Sequence, residues 1–201
     1  MTKESKYNID HPRLIFSETF ADEQSVRRNG NIPTDITFSD GTAYYVDTLS
    51  PSIVLGETLS FSSNQDASFR IRFSLTDISK QYVLLGGDTQ VSYIAIQPVS
   101  NRIYVKDKST GWNVYMSYLS PLVANQWYDF VLVKNGTATL QWNFYIDGVF
   151  QVNGTHANEL FMIKYIGVKS NGTLELNGYI DLIEIYNYAL TQSEIANMAG
   201  I

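Results

Sequence analysis

Apolar and polar positions alternate with a period of two along much of the chain, and this pattern predicts β-strands. Two stretches show it most clearly, Ala67–Leu75 and Thr139–Ile146. Successive side chains of a strand point to opposite faces, so each stretch should have one buried and one wet face. The apolar positions are Ala67, Phe69, Ile71, Phe73 and Leu75 in the first, and Leu140, Trp142, Phe144 and Ile146 in the second.

Shorter apolar stretches separated by turn signals predict further strands, and residues 21–35 are predicted to be a loop. These strands are Arg13–Phe20, Thr42–Val46, Thr58–Phe61, Gln81–Leu85, Val91–Ile96, Arg102–Lys106, Trp112–Met116, Trp127–Lys134, Val149–Val152 and Phe161–Val168. Four dipeptides that tolerate the positive φ angles of tight turns punctuate the second half. They are Asn135-Gly136, Asp147-Gly148, Asn153-Gly154 and Asn171-Gly172.

The C-terminal segment predicts a long strand followed by a short helix. The strand is predicted over Leu174–Tyr186, and its part from Tyr179 to Tyr186 is apolar on both faces, as expected of a strand between layers. Many short strands with regular turns, no interior helix and one terminal helix predict an all-β fold. The expected architecture is an antiparallel two-sheet jelly-roll sandwich with a short C-terminal helix.

Local signals mark both ends of this helix. Thr191 is the predicted N-cap, and Glu194 three residues later completes a capping box. Leu190 and Ile195 occupy the two positions of a hydrophobic staple. Gly200 follows as the predicted terminator.

Length and composition predict one domain over residues 13–201, preceded by a polar arm over residues 1–12. The arm is expected to be either a disordered terminus or an attachment to a neighbour. The formal net charge of -6 argues against nucleic-acid binding, which depends on neutralising phosphates. No cysteine is present, so disulfides and thiolate metal sites are excluded. Neither a signal peptide nor a membrane insertion is expected.

Several motifs of the second half occur together in one known family. They are Trp127 with Phe130, Leu132 and Val133; Tyr145-Ile146-Asp147-Gly148; Gly178-Tyr179-Ile180-Asp181; Ile185-Tyr186; Ala189-Leu190; Thr191; and Glu194-Ile195. In these motifs the chain resembles the laminin-G-like, concanavalin A-like lectin/glucanase jelly-roll domains. Leu182 and Glu184 depart from the family pattern, which usually has acidic and basic residues there. The resemblance implies the concanavalin A-like sandwich and a non-catalytic binding or structural module.

Within that family, three functions are compatible with the sequence. The first is a phage virion protein, a decoration, tail or fibre component used for assembly or for adhesion to host glycans. The second is a carbohydrate-binding module of a secreted bacterial protein, at an extracellular or cell-surface location. The third is a glycoside hydrolase. The expected partners are glycans and other virion or cell-surface proteins, and self-association into a homo-oligomer is left open.

The glycosidase hypothesis depends on a strand that carries three carboxylates in the pattern Glu-x-Asp-x-x-Glu, as some members of the family do. Asp181 and Glu184 match the last two positions, but Tyr179 stands at the first. Retaining hydrolysis needs two carboxyl groups about 5 Å apart, so the set is incomplete. We therefore predict no enzymatic activity and expect Asp181 to bind donors near the start of its strand.

Glycan binding needs an exposed aromatic ring for the apolar face of a sugar, next to polar groups for its hydroxyls. The candidate residues are Trp112, Tyr115, Tyr118, Gln141, Asn143 and Tyr145. The alternative for Trp112 is a cover over the edge of the core, and for Tyr145 an ordinary place on a strand surface. Trp127 and Trp142 are assigned to the core.

No metal or cofactor is predicted, although calcium would suit this fold because it prefers oxygen ligands. The two histidines, His11 and His156, fall in predicted loops far apart in sequence. The loop and strand-end acids do not form a calcium-loop motif and are expected to be solvated. They are Asp40, Asp47, Asp66, Asp77 and Asp88.

Overall fold

The computed structural model describes residues 14–28, 31–34, 36–45, 52–62, 64–88, 92–106, 113–119, 121–136, 141–155, 160–169 and 171–200, and every structural statement below concerns these residues. The predicted arm and the residues Trp112, His11, His156 and Asp47 lie outside them. The strands are β1 (Leu14–Glu18), β2 (Ile32–Thr34), β3 (Ile36–Ser39), β4 (Thr42–Tyr45), β5 (Ser52–Phe61), β6 (Ala67–Leu75), β7 (Tyr82–Gly86), β8 (Tyr93–Gln97), β9 (Arg102–Lys106), β10 (Asn113–Ser117), β11 (Trp127–Asn135), β12 (Gln141–Ile146), β13 (Val149–Thr155), β14 (Phe161–Ile166) and β15 (Gly178–Tyr186). The helices are α1 (Glu23–Arg28) and α2 (Gln192–Ala199).

The strands form two antiparallel sheets that pack face to face. An eight-stranded sheet has the order β13-β12-β11-β6-β15-β4-β3, and β1 also pairs with β15. A seven-stranded sheet has the order β10-β9-β8-β7-β14-β5-β2. The predicted all-β, two-sheet jelly-roll sandwich is thereby confirmed. In the described part of the chain no helix is long and apolar enough to cross a membrane.

Aromatic side chains fill the space between the two sheets. Phe69 of β6 packs edge-on against Phe61 and Phe161 of the opposite sheet, at centroid distances of 5.2 and 5.5 Å. Trp142 of β12 reaches Phe161 at 5.7 Å. These geometries are favourable for aromatic pairs. The predicted apolar positions of β6 and the described ones of β12, Trp142, Phe144 and Ile146, face this core, which confirms their alternation and the assignment of Trp142 to the core. Leu140 lies outside the described residues.

The turn predictions had mixed success. Asp147 and Gly148 have φ of 49° and 76° and join β12 to β13 as predicted. Asn153-Gly154 was wrongly predicted to be a turn, because both residues lie inside β13 opposite Asn143 and Trp142. The β12–β13 hairpin begins at Asp147-Gly148, and its strand pairing continues past Asn153-Gly154. The pairing with β12 therefore outweighs the turn preference of Asn153-Gly154.

Several boundaries also differ from the sequence prediction, three of them substantially. The segment predicted to be a loop over residues 21–35 contains α1 and β2, so the expectation of no interior helix was wrong. Strand β5 starts at Ser52, six residues before the predicted start. Strand β15 starts at Gly178, because the residues before it hydrogen-bond elsewhere: the Leu174 carbonyl accepts from the Val83 amide.

Helix α2 closes the chain over the outer face of the eight-stranded sheet. Its capping box is confirmed: the Glu194 amide donates to Thr191 Oγ1 at 3.2 Å, and the Thr191 amide donates to Glu194 Oε2 at 2.7 Å. Gly200 ends the helix at φ 76°. Leu190 and Ile195, the predicted staple, are buried against that outer face. The helix therefore covers one part of the face and leaves the rest open.

Candidate functional site

An aromatic row crosses the open part of the outer face of the eight-stranded sheet. The row consists of Trp127, Tyr179 and Tyr44, and all three side chains are partly exposed. Strand register places them side by side, because Ser74 pairs with both Trp127 and Tyr179, and Tyr179 pairs with Tyr44. The rings of Tyr44 and Tyr179 stack at 4.5 Å, and those of Tyr179 and Trp127 lie 6.3 Å apart. The row offers a continuous aromatic surface.

Ser74 makes this surface possible. It lies between Trp127 and Tyr179 in the register and is buried, with 2% of its surface exposed. Directly paired residues of neighbouring strands have Cβ atoms about 5 Å apart, so the two rings are separated by two such steps. The small side chain of Ser74 lets the rings lean towards each other over it.

Arg72 flanks the aromatic row on the same face. Its guanidinium lies 5.5 Å from the centre of the Trp127 ring, a cation–π geometry. Its Nη1 is 3.1 Å from Oδ2 of Asp181, while 49% of the Arg72 side chain remains exposed. Arg72 is thus held in place by one carboxylate and one ring and still presents donors to solvent. The prediction that Asp181 binds a donor near the start of its strand is confirmed for its Oδ2 atom, which contacts Arg72.

A β-bulge places Asp181 on this face. Ile180 pairs with Phe73 and Leu182 with Arg72, so Asp181 is an extra residue in β15. Bulges re-aim side chains in this way and are frequent near functional sites. Oδ1 of Asp181 is buried and has no hydrogen-bond donor among the described residues. Burial, reinforced by nearby Asp129, raises the pKa of the Asp181 carboxyl despite the opposing effect of Arg72.

Arg70, two residues before Arg72, occupies the part of the face that α2 covers. Its guanidinium donates to both carboxylate oxygens of Asp129, to Glu184 Oε2 at 2.9 Å, and to the Met198 carbonyl of α2 at 3.1 Å. The hydroxyl of Tyr186 donates to the same Glu184 oxygen at 3.0 Å. Burial alone would lower the pKa of Arg70. The hydrogen bonds and charges of Asp129 and Glu184 outweigh this effect and hold the pKa above its ordinary value.

A hollow of about 320 Å³ opens between α2 and the β12–β13 turn, beside the aromatic row. Its lining residues are Arg70, Arg72, Trp127, Tyr128, Asp129, Asp147, Met198 and Ala199. Asp147 belongs to the turn and accepts the Asp129 amide at 2.8 Å, which fixes its carboxylate at the rim. The volume is at the lower end of the range for small-molecule sites.

The charged side chains that line the hollow are balanced in number. Arg70 and Arg72 are positive, and Asp129 and Asp147 are negative. Two further acids, Glu184 and Asp181, form ion pairs with the same two arginines. Because the guanidinium groups are already paired, an anionic ligand is disfavoured, and Asp147 leaves an oxygen acceptor for hydroxyl groups.

Of the six predicted glycan-contacting residues, the structure describes the side chains of four, and the two aromatic ones among these four are buried. Trp112 lies outside the described residues, as does the side chain of Tyr115, whose backbone belongs to β10. The expectation that Tyr118 offers an exposed ring was wrong, since only 3% of it is exposed. Its ring packs against Phe144 in the core, at 6.1 Å.

The second predicted group, on β12, has the expected orientation but little accessible aromatic surface. Gln141 and Asn143 are partly exposed on the outer face and stay candidates for polar contacts. Tyr145 was expected to be accessible, but it is 7% exposed. The ring of Phe150 packs edge-on against that of Tyr145, with their centroids 5.5 Å apart. Tyr145 belongs to the apolar cluster under α2.

Trp127 was wrongly assigned to the core. It shares its face with Asp129 and Arg72, whereas the neighbouring Tyr128 points inward and is buried. The signal was present in the sequence, because alternation along Trp127–Asn135 puts Trp127 and Asp129 on one face. Within the described part of the chain, no group of three or more His, Asp or Glu residues could hold a metal ion.

Comparison with known proteins shows the family. A family model described as the concanavalin A-like lectin/glucanases superfamily matches residues 40–196. The chain belongs to this superfamily, which confirms the resemblance inferred from its motifs. No curated protein matches the chain in sequence.

Solved structures share the fold at low sequence identity. Domain 4 of AbnA, a GH43 extracellular arabinanase from Geobacillus stearothermophilus, in complex with arabinotriose, matches with a TM-score of 0.71 and 18% identity, covering 93% of this chain and 98% of that domain. The binding domain of Paraclostridial Mosquitocidal Protein 1 matches with a TM-score of 0.66 and 16% identity over 93% of this chain. The receptor binding domain of botulinum neurotoxin type G matches with a TM-score of 0.59 and 16% identity over 94%. This chain spans only 52% and 51% of the two toxin domains.

Proposed function

We propose that this chain is a non-catalytic carbohydrate-binding domain that holds a neutral saccharide against the aromatic row. The observation that carries the proposal is the juxtaposition of Trp127 and Tyr179 with the half-exposed Arg72. Sugars are recognised by an aromatic ring under their apolar face and by polar groups around their hydroxyls. The row and the hollow beside it supply both.

Each side chain has a distinct task in this proposal. The rings of Trp127 and Tyr179 contact the C–H face of one sugar unit, and Tyr44 extends the surface to a neighbouring unit. Arg72 donates hydrogen bonds to ring or hydroxyl oxygens. The carboxylate of Asp147, at the rim of the hollow, accepts hydrogen bonds from hydroxyl groups. Because each arginine at the hollow is already paired with a carboxylate, a neutral sugar is favoured over an acidic one.

Two features support a binding role rather than hydrolysis. Tyr179 stands where a glycosidase strand of this family would carry its first carboxylate. Asp181 and Glu184, the two remaining acids, are each paired with an arginine of β6. One oxygen of each acid is thereby engaged with a guanidinium group of the protein instead of facing a substrate. Domain 4 of AbnA, whose structure is in complex with arabinotriose, has a similar fold.

The decisive experiment screens the full chain against a glycan array and measures affinity for the hits by calorimetry. Trp127→Ala and Tyr179→Ala should each weaken binding at least tenfold, because stacking is lost. Phe150→Ala is the matched control, since it removes an exposed ring outside the site. Full affinity in Trp127→Ala would refute the proposed site, and loss in Trp112→Ala alone would restore the site predicted from sequence.

Hydrolysis is tested in the same preparation. The polysaccharide that contains the tightest-binding glycan of the array should yield no reducing sugar on prolonged incubation with the chain. Release of reducing sugar that disappears in Glu184→Gln would overturn the non-catalytic assignment. Retention of release in that variant would point to a contaminating enzyme.

A place in a virion, as a decoration, tail or fibre component, stays a prediction drawn from the sequence. None of the three structures named above is a virus protein. An extracellular or cell-surface location is the alternative, and both agree with glycan binding. Detection of the chain by mass spectrometry in purified virus particles would support the first. Its recovery from a bacterial culture supernatant or cell surface without particles would support the second.

A further inference from the structure

A second polar cluster lies on the opposite side of the molecule, on the outer face of the seven-stranded sheet. We call it the lysine clip, and it consists of Lys106, Lys169 and the ring of Tyr93. Tyr93 and Lys106 are paired residues of β8 and β9. The Nζ atoms of Lys106 and Lys169 lie 5.9 and 4.8 Å from the centre of the Tyr93 ring. Two cations are therefore fixed around a single ring.

A glycine allows the two lysines to meet. Gly86 of β7 pairs with Tyr93, so it lies beneath the segment that carries Lys169. A Cβ atom built on Gly86 would lie 2.2 Å from the Val168 carbonyl oxygen, closer than real contacts allow. The absence of a side chain lets residues 168–169 approach the sheet and places Lys169 against the ring. The clip is thus built by the fold and is more than two lysines that happen to share a surface.

Neither lysine of the clip forms an ion pair with an acid in the described part of the chain. Arg27, Arg70 and Arg72, by contrast, each form an ion pair with a carboxylate. The chain as a whole has an excess of acidic residues. Burial lowers the pKa of Lys169, and the charge of Lys106 lowers it further. The two ammonium groups repel each other, and a bound anion would remove that repulsion.

We propose that the lysine clip binds an oxyanion, namely the sulfate or carboxylate group of a charged saccharide. Ammonium groups form charge-assisted hydrogen bonds to such oxygens, and contact with the Tyr93 ring limits the freedom that binding would remove. The net charge of -6 disfavours a nucleic acid or an anionic membrane, since both require a broad basic surface. The oxyanion part of this inference rests on the clip alone. The saccharide part rests on the proposed role in carbohydrate binding, and it concerns a charged sugar at a second site, not the neutral sugar at the aromatic row.

The experiment measures binding of a sulfated oligosaccharide, its desulfated counterpart, a uronic-acid oligosaccharide and sodium sulfate to the full chain by calorimetry at low salt. The sulfated and carboxylated oligosaccharides should bind, and their affinity should fall as salt rises. Combining Lys106→Gln with Lys169→Gln should weaken binding at least tenfold. Lys80→Gln, an exposed lysine outside the clip, should leave it unchanged. Thermal melts establish that each variant is folded.

The outcomes separate this site from the aromatic row. Binding of anionic oligosaccharides that survives Trp127→Ala but not the double lysine variant supports the clip. An equal loss in Lys80→Gln would show a diffuse charge effect and overturn it. Loss in Trp127→Ala alone would assign the anion to the other sheet and overturn it as well. Binding of sodium sulfate without binding of any oligosaccharide would support an oxyanion site at the clip and overturn the proposal that its ligand is a saccharide. The role of the aromatic row would be judged separately, from the neutral glycans.

Discussion

Two arginines of β6, Arg70 and Arg72, point to the same face of the sheet and have different surroundings. Arg70 is 13% exposed, and its donors are taken by two carboxylates and by the last turn of α2. Arg72 is 49% exposed and is held by Asp181 and the ring of Trp127. The covered half of the face is therefore organised around Arg70, and the open half around Arg72.

The difference comes from what lies above each arginine rather than from the strand. Helix α2 is fixed by its cap at Thr191 and by the buried Leu190 and Ile195. Its last turn covers Arg70 and leaves Arg72 half exposed. A buried, fully paired guanidinium stabilises the docking of the helix. A guanidinium that keeps free donors at the edge of a hollow is available for a ligand. One strand thus supplies a fully paired arginine and a half-exposed one two positions apart.

The largest expected effect is the loss of stability in Arg70→Ala. Removing this guanidinium leaves Asp129 and Glu184 close together and unpaired, which should lower the free energy of unfolding by about 3 kcal/mol. Chemical denaturation followed by tryptophan fluorescence measures it. Arg70→Lys is the matched control and should recover only part, because an ammonium cannot reproduce the forked contact with Asp129. A loss below about 1 kcal/mol would contradict the structural role of Arg70.

Thr191→Ala comes next and addresses the covered half from the helix side. It removes the hydroxyl that accepts the Glu194 amide, so the free energy of unfolding should fall by about 1 kcal/mol. The exposed neighbour Ser193 provides the control, because Ser193→Ala should change it by less than about 0.5 kcal/mol. Glycan affinity should be unaffected in both variants. Equal destabilisation by the two substitutions would argue against the capping box.

Arg72→Ala should have the opposite profile to Arg70→Ala. The side chain is half exposed, so its ion pair with Asp181 contributes about 1 kcal/mol or less to stability. Saccharide affinity should nevertheless fall at least fivefold, since donors at the hollow are lost. Denaturation and calorimetry on the same preparation measure the two quantities. Unchanged affinity would break the division of the face into a covered and an open half.

The smallest effect is a change in pH dependence in Asp181→Asn. Burial raises the pKa of Asp181 in the folded chain, so between the ordinary and the raised value the folded state binds more protons than the unfolded state. Stability is then lost as pH rises through that interval. An asparagine at this position does not titrate, so Asp181→Asn lacks this loss. As pH rises through the interval, the unfolding free energy of the variant should therefore increase relative to that of the parent. Parallel pH profiles would show that the burial of Asp181 is energetically unimportant.

Features set by neighbouring residues could be predicted from the sequence. The cap and staple of α2 depend on residues within one turn, and the Asp147-Gly148 hairpin depends on two φ angles. The alternation of Ala67–Leu75 identified the central strand and its buried face. These local signals, together with the closing motif, were sufficient for the two-sheet sandwich.

The candidate site could not be predicted in the same way, because it depends on register between distant strands. The aromatic row requires Tyr44, Ser74, Trp127 and Tyr179 to be paired across four strands. The hydrophobicity of Trp127 suggested the core, although its alternation with Asp129 indicated the outer face. The bulge at Asp181 shifts the alternation of β15 by one residue, and no local signal marks it.

Ser74 has a consequence beyond its own burial. It is buried between Trp127 and Tyr179 in the register, and the two rings lie 6.3 Å apart, so we expect its size to limit how closely they approach. A threonine or valine at this position would wedge the rings apart, and a glycine would let them close. A single residue under the sheet surface could therefore tune which ring size or linkage the domain accepts, and divergence of ligand preference would need no change in any residue that touches the sugar.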